Sequence, residues 1–149
     1  MALLFKALVA LAFTTSACGG ASTPETIVKG WLEAASNGDA HAFRAAFPSR
    51  DEVADLFACP GGLSLDSRFD ALNPDFAAWR SGRPTLTRTT RVAAESVASG
   101  MPVGGCTARR DLELLRMDAT IAVGGEKNPE RTLRLRLVAF DGKHRILGY

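Results

Sequence analysis

The spacing of hydrophobic residues changes once along the chain, near residue 84. Between Thr23 and Gly82 apolar residues recur every three or four positions, which is the spacing of helices with one buried face. After Pro84 apolar and polar residues alternate, which is the spacing of strands with one buried face. Helices followed by antiparallel strands predict an α+β domain, with the helices packed on one face of a curved sheet of about four strands.

Capping and stop signals predict four helices in the first part of the chain. The fourth is short and follows a loop that runs from Cys59 to about Leu72. The predicted starts and stops are Thr23-Pro24 to Asn37-Gly38, Asp39 to Pro48, Ser49-x-x-Glu52 to Cys59-Pro60, and Asn73-Pro74 to Gly82.

Four strands are predicted in the second part, separated by glycine-rich loops. The clearest turn signal is Asp141-Gly142, because Asp-Gly favours the tight turn of a two-residue β-hairpin. The predicted strands cover residues 85–97, 110–123, 131–140 and 143–148, with loops over 99–105 and 124–130.

The first 17 residues have the three-part pattern of a secretory signal peptide. Lys6 and the amino terminus supply positive charge, and an apolar run extends from Ala7 to Phe13. This run is too short to span a membrane, which takes about 20 apolar residues. We expect a signal peptide over 1–17, a tether over 18–23 and one domain over 24–149.

Thr15-Ser16-Ala17-Cys18 resembles the lipobox of bacterial lipoprotein precursors, with Thr15 where that family usually has Leu. The resemblance implies cleavage before Cys18, acylation of its thiol, including palmitate, and anchoring in a cell-envelope membrane. Gly19 occupies the place where Asp signals inner-membrane retention, which favours the periplasmic face of the outer membrane in a two-membrane source. Thr15-x-Ala17 also fits ordinary signal peptidase, which would release a soluble secreted protein.

Three cysteines leave one unpaired, and an odd number in an exported protein needs an explanation. If Cys18 carries lipid, Cys59 and Cys106 remain and can form a disulfide in an oxidising compartment. Closing that loop would stabilise the fold by about 4 kcal/mol in the chain-entropy model. Two buried free thiols are the alternative.

Three stretches resemble small exported members of the nuclear transport factor 2-like superfamily. They are TPETIVKGWLEA at 23–34, NGDAHAF at 37–43 and LRLVAFDGKHRI at 135–146. The resemblance implies a cone-shaped α+β fold with an apolar pocket. In the steroid-isomerase branch that pocket holds an acidic base and tyrosines, but the only tyrosine here is Tyr149 and the sequence shows no Tyr/Asp set.

No catalytic, cofactor-binding or metal-ligating residue is predicted, and no cofactor is expected. Asp39 and His41 are two positions apart in a first helical turn and do not face each other, so we interpret them as an N-cap and a surface residue. His144 is interpreted as a residue of the last strand. Ser64 and Ser67 lie in no nucleophile elbow, and no glycine pair forms a nucleotide-binding fingerprint.

Charge is divided unevenly, with a net −5 over residues 19–79 and a net +6 over residues 80–149. Arg116, Arg134 and Arg136 fall on the polar faces of two neighbouring strands. If those strands pair, the arginines form a basic patch for anionic lipid headgroups, cell-wall polymer or an acidic partner. An ordinary solvated sheet face is the alternative, and the overall charge of +2 is too small to indicate nucleic-acid binding.

We therefore expect a non-enzymatic envelope lipoprotein domain that binds a protein partner or an apolar or anionic ligand. An isomerase- or cyclase-type enzyme that uses the cone interior is the alternative, and a secreted structural subunit is another. Apolar inward positions favour binding over catalysis. The inward residues are Leu115, Met117, Ile121, Leu133, Leu135 and Leu137.

Overall fold

Four helices and two antiparallel sheets make up the described part of the chain, which is α+β as predicted. A computed structural model describes residues 22–60, 65–124 and 130–149. The helices are α1 (Pro24–Asn37), α2 (Ala40–Ala45), α3 (Arg50–Leu56) and α4 (Leu65–Gly82). The strands are β1 (Phe57–Ala58), β2 (Thr85–Val97), β3 (Pro102–Val103), β4 (Cys106–Ala108), β5 (Leu112–Ala122), β6 (Glu130–Phe140) and β7 (Lys143–Gly148).

Several predictions concern residues outside these ranges. The signal peptide over 1–17, the lipobox with Cys18, and Gly19 all precede residue 22. Ser64 and most of the turn predicted over 124–130 also lie outside the described residues. These interpretations stay predictions.

The predicted caps of the first three helices are confirmed. In each case an oxygen of the capping side chain accepts a backbone N–H of the first turn, which would otherwise have no partner. The acceptor and donor pairs are Thr23 and Thr26 at 3.2 Å, Asp39 and Ala42 at 2.9 Å, and Ser49 and Glu52 at 3.1 Å.

The prediction for the fourth helix is wrong at its beginning. The sequence predicted a loop up to about Leu72, whereas α4 begins at Leu65 and continues through Pro74. Proline lacks an N–H and is usual at a helix start, so it was interpreted as the first residue. The helix continues past it because Phe76 and Trp79 pack against the core beside α1.

The main sheet has four antiparallel strands in the order β2-β5-β6-β7, which confirms the predicted strand number. Asp141 (φ 48°) and Gly142 (φ 70°) form the tight turn between β6 and β7, as predicted. β2 contains two register shifts, between Leu86 and Arg88 and between Arg91 and Ala93. Such bulges bend a strand and increase its twist.

The inner face of the main sheet forms the larger core with α1 and α2. The predicted inward residues are confirmed there, since Leu115, Met117, Ile121, Leu135 and Leu137 are buried. Leu133 is partly buried against the same core. Fifteen buried residues form this core, with Val28, Trp31, Leu32 and Phe43 supplied by the helices.

The outer face of the main sheet is covered at one end, which the sequence did not predict. Val138 and Leu112 point away from the inner core and are buried beneath α3 and a small sheet with strand order β1-β4-β3. β3 lies within the loop predicted over 99–105, and β4 lies between that loop and the strand predicted over 110–123. β1 lies where the third helix was predicted to continue, since α3 ends at Leu56. The rest of the outer face stays open, and the candidate site lies along its boundary with the small sheet.

Candidate functional site

A cavity of about 780 Å³, the groove, borders the open part of the outer face, and its lining also includes Leu115, Leu137 and Ile146 of the inner core. One row of paired residues crosses all four strands and lines it: Ala93 of β2, Arg116 of β5, Arg136 of β6 and Gly148 of β7. Pockets for small molecules usually measure about 300–1,000 Å³. The groove is therefore large enough for a ligand. Its lining carries two positive side chains, Arg116 and Arg136, and two carboxylates, Asp75 and Glu95.

Arg116 and Arg136 are direct antiparallel partners. Cβ atoms of such partners lie about 4.5–5.5 Å apart, and like charges at this spacing destabilise a sheet. Within the described chain, neither guanidinium group has a carboxylate within ion-pair distance. Glu95 also lines the groove, two residue pairs further along β2, opposite Leu114.

Arg134, the third residue of the predicted basic patch, has a different environment. The structure places Arg116, Arg134 and Arg136 on the same exposed face, on neighbouring strands. Arg134 lies directly opposite Asp118, so an opposite charge stands beside it, and it does not line the groove. The two remaining arginines therefore form a separate pair.

The wall of the groove is apolar and includes a disulfide. Cys59 follows β1 and Cys106 begins β4, and their sulfur atoms are 2.07 Å apart. Phe57, Val103 and Leu114 line the same side. The bond fastens the small sheet across a sequence separation of 47 residues, so it holds one wall of the groove in place.

A Tyr–Asp pair at the groove was missed by sequence reasoning. The Tyr149 hydroxyl donates to Asp75 Oδ2 at 2.7 Å, and Trp79 Nε1–H donates to the Tyr149 oxygen at 3.3 Å. Burial, together with the bond to Asp75, raises the pKa of Tyr149 well above its usual value, so the hydroxyl stays protonated. No local signal links two residues that are 74 positions apart.

Tyr149 rests on a cluster of aromatic rings. The Trp31 ring centroid lies 5.0 Å from that of Tyr149 and 5.5 Å from that of Trp79. Phe43 and Phe47 pack against the other sides of Trp31 at 5.8 and 6.0 Å. Such contacts fix ring positions, so the Tyr149 hydroxyl is held by packing as well as by hydrogen bonds.

The histidines lie away from the groove. His41 is exposed on α2, and Asp39 caps that helix as predicted. The backbone N–H of His144 donates to Ser22 Oγ at 3.1 Å, so the chain that leads into α1 is fastened to β7. Among the described residues no group of three or more His, Cys, Asp or Glu side chains is placed to hold a metal ion.

Among the described residues no helix combines the length and the apolar character needed to cross a membrane. No protein-family model, curated protein or solved structure matches this chain.

Proposed function

We propose that this chain is an exported lipoprotein of the cell envelope, cut before Cys18 and held on a membrane by acyl chains on that residue. The observation that carries the proposal is the disulfide between Cys59 and Cys106. Disulfides persist mainly in oxidising compartments outside the cytoplasm, which agrees with the signal-peptide pattern. The pairing also leaves Cys18 as the odd cysteine, available for the lipid.

The domain acts in this proposal as a non-enzymatic binding module. The inward side chains of β5 and β6 are apolar and pack against α1, so they supply a core rather than reactive groups. The outer groove offers the contrasting surface, with arginines on its floor and an apolar wall. A ligand with an anionic part and an apolar part fits both.

The fold is proposed to be a nuclear transport factor 2-like cone. Helices precede a four-stranded antiparallel sheet, and two bulges bend the first strand of that sheet. The small sheet on the outer face falls within residues 50–110, the part of the sequence outside the resemblance. It would be an addition to such a cone.

The outer membrane, on its periplasmic face, is the proposed location in a source with two membranes, because Gly19 lacks the retention signal of an Asp. Ser22, which contacts β7, is four positions after Cys18. A chain of that length spans at most about 14 Å. The domain would therefore lie close to the lipid surface.

Intact mass spectrometry of the chain extracted from membranes tests the anchor. We expect a mature chain that begins at Cys18 and carries the added mass of acyl groups. The Cys18→Ala chain should appear in the soluble fraction or retain its signal peptide. The Cys59→Ser/Cys106→Ser chain should keep its lipid. A mature chain that begins at Cys18 without added mass contradicts the proposal.

An isomerase- or cyclase-type enzyme is the second candidate, and the Tyr149–Asp75 pair favours it. If the Tyr149 O–H turned from Asp75 to a substrate carbonyl oxygen, it could donate there while the freed Asp75 carboxylate removed a neighbouring proton. Deuterium exchange at the α-carbon of cyclohexanone in heavy water, followed by NMR, tests this activity. Exchange that is faster than in buffer and is lost in Tyr149→Phe would favour the enzyme over the binding module.

A further inference from the structure

We propose that Arg116 and Arg136 bind the phosphate or carboxylate head of a lipid-type amphiphile, whose hydrocarbon chain lies along the apolar wall of the groove. The inference rests on the proposed binding module and names its ligand class. We call the two side chains the arginine pair.

Both members of the arginine pair are positively charged. Two guanidinium groups on directly paired residues repel each other, and no carboxylate of the described chain forms an ion pair with either of them. An oxyanion placed between them replaces that repulsion with charge-assisted hydrogen bonds. Arginine presents planar N–H donors that match phosphate and carboxylate oxygens, so this is the ligand group that the pair fits best.

Only small residues flank the arginine pair in its row across the sheet. The flanking residues of the same row are Ala93, whose side chain is a methyl group, and Gly148, which has no side chain. Both guanidinium groups are on an exposed face and line the groove. A headgroup can therefore reach them without moving a large side chain.

The wall of the groove beside the arginine pair is apolar. Phe57, Val103, Leu114 and the Cys59–Cys106 disulfide adjoin the charged floor and offer no charge to a purely ionic ligand. They can remove a hydrocarbon chain from water, and each buried methylene strengthens binding by roughly four-fold. The groove thus combines a site for an anionic head with a surface for its tail.

The nearby membrane would supply such a ligand. With Cys18 acylated, the short tether keeps the domain near a membrane, and phospholipids and fatty acids are the amphiphilic anions of that environment. The shared chemistry is an oxyanion head on an acyl chain. Whether the groove takes it from a bilayer or as a free monomer is decided by the arms of the experiment.

Titration calorimetry with dodecyl phosphate below its micelle concentration tests the proposal. The protein is the full oxidised chain carrying Cys18→Ala, which removes acylation and changes no described residue. Two double variants are compared in this background: Arg116→Gln/Arg136→Gln, and Arg88→Gln/Arg134→Gln. The second is the matched control because it removes the same charge from exposed positions of the outer face that do not line the groove.

We expect dodecyl phosphate to bind the parent chain and the Arg88→Gln/Arg134→Gln chain with affinities within about three-fold. The Arg116→Gln/Arg136→Gln chain should lose at least about ten-fold in affinity while its thermal unfolding stays cooperative. Inorganic phosphate, which lacks a tail, and dodecyl maltoside, which lacks the charge, should both bind more weakly. Binding of the free monomer but not of phosphatidylglycerol vesicles would identify a monomeric source, and vesicle binding a bilayer source.

Equal losses in the two double variants would overturn the proposal, because the effect would then be general surface electrostatics. Inorganic phosphate that binds as tightly as dodecyl phosphate would also overturn it, since the wall would play no part. If dodecyl phosphate does not bind while mass spectrometry shows acylated Cys18, the ligand class is wrong and the proposed lipoprotein stands. If the mass lacks acyl groups while dodecyl phosphate binds at the arginine pair, the proposed lipoprotein is wrong and the proposed ligand class stands.

Discussion

Arg145 of β7 binds Glu52, the third residue of α3, by two hydrogen bonds. Arg145 Nε donates to Glu52 Oε2 at 3.2 Å, and Nη2 donates to Oε1 at 3.1 Å. The same Oε2 atom accepts the backbone N–H of Ser49 at 3.0 Å. One carboxylate therefore completes the capping box and links α3 to the last strand of the main sheet. This link lies beside the smaller core, which α3 and the small sheet form with the outer face of the main sheet.

A double-mutant cycle with Glu52→Gln and Arg145→Gln should give a coupling free energy of about 1–2 kcal/mol in denaturant unfolding. Both side chains are only 21% exposed, so this pair is less screened than a surface ion pair. The matched cycle is Lys29→Gln with Glu33→Gln, whose side chains are 65% and 60% exposed. That pair should give about 0.5 kcal/mol or less, and equal couplings would contradict the role given to burial.

Two glycines should respond to alanine in opposite directions. Gly30 is an exposed residue of α1 with nothing within 4 Å of an added Cβ, so Gly30→Ala should raise the free energy of unfolding by about 0.5–1 kcal/mol. Gly142 has equal space but a φ of 70° in the β6–β7 turn, so Gly142→Ala should lower it by about 1–2 kcal/mol. Chemical denaturation measures both. A change of the same sign would show that space, and not backbone conformation, decides the outcome.

The elements that the sequence predicted correctly are those with a repeated local signal. β5 and β6 have eleven residues each and alternate over most of their length, and the capping side chains mark where α1, α2 and α3 begin. The facing of Arg116 and Arg136 followed from that alternation. Their direct pairing depends on the register of the two strands. The sequence of the turn between the strands does not predict that register.

The elements that the sequence missed have short or weak signals. β1 and β3 have two residues each and β4 has three, so no alternation can develop in them. The beginning of α4 was hidden because Pro74 resembles a helix start. The contact between Tyr149 and Asp75 depends on that helix and on chain closure over 74 residues, so it belongs to tertiary packing alone.

Removing the disulfide by Cys59→Ser/Cys106→Ser should lower the free energy of unfolding by up to about 4 kcal/mol, since the bond closes a loop with a sequence separation of 47. The loss arises mainly in the unfolded chain, which regains the freedom that the loop removes. Denaturant unfolding with both variants in matched buffers measures it, and Cys18→Ala is the control that should leave the value unchanged. Two freely labelled thiols at Cys59 and Cys106 in the folded, non-reduced protein would refute the pairing itself.

Tyr149 should make stability depend on pH in the alkaline range. In the folded chain burial and the bond to Asp75 raise the pKa of Tyr149, whereas in the unfolded chain the phenol ionises near pH 10. The unfolded chain therefore releases this proton first as the pH rises. The contribution of Tyr149 to stability is fully present below about pH 10 and is lost as the pH increases toward the folded pKa.

Tyr149 is the only tyrosine, so the phenolate absorbance of the folded protein reports its ionisation directly. We expect a midpoint well above the ordinary value, and denaturant unfolding at increasing pH should show a steeper loss of stability in the parent chain than in Tyr149→Phe. Asp75→Asn should lower the midpoint in part only, because burial is the larger cause and remains. A midpoint at the ordinary tyrosine pKa would show that the hydroxyl is solvated and that the contact with Asp75 is not maintained in solution.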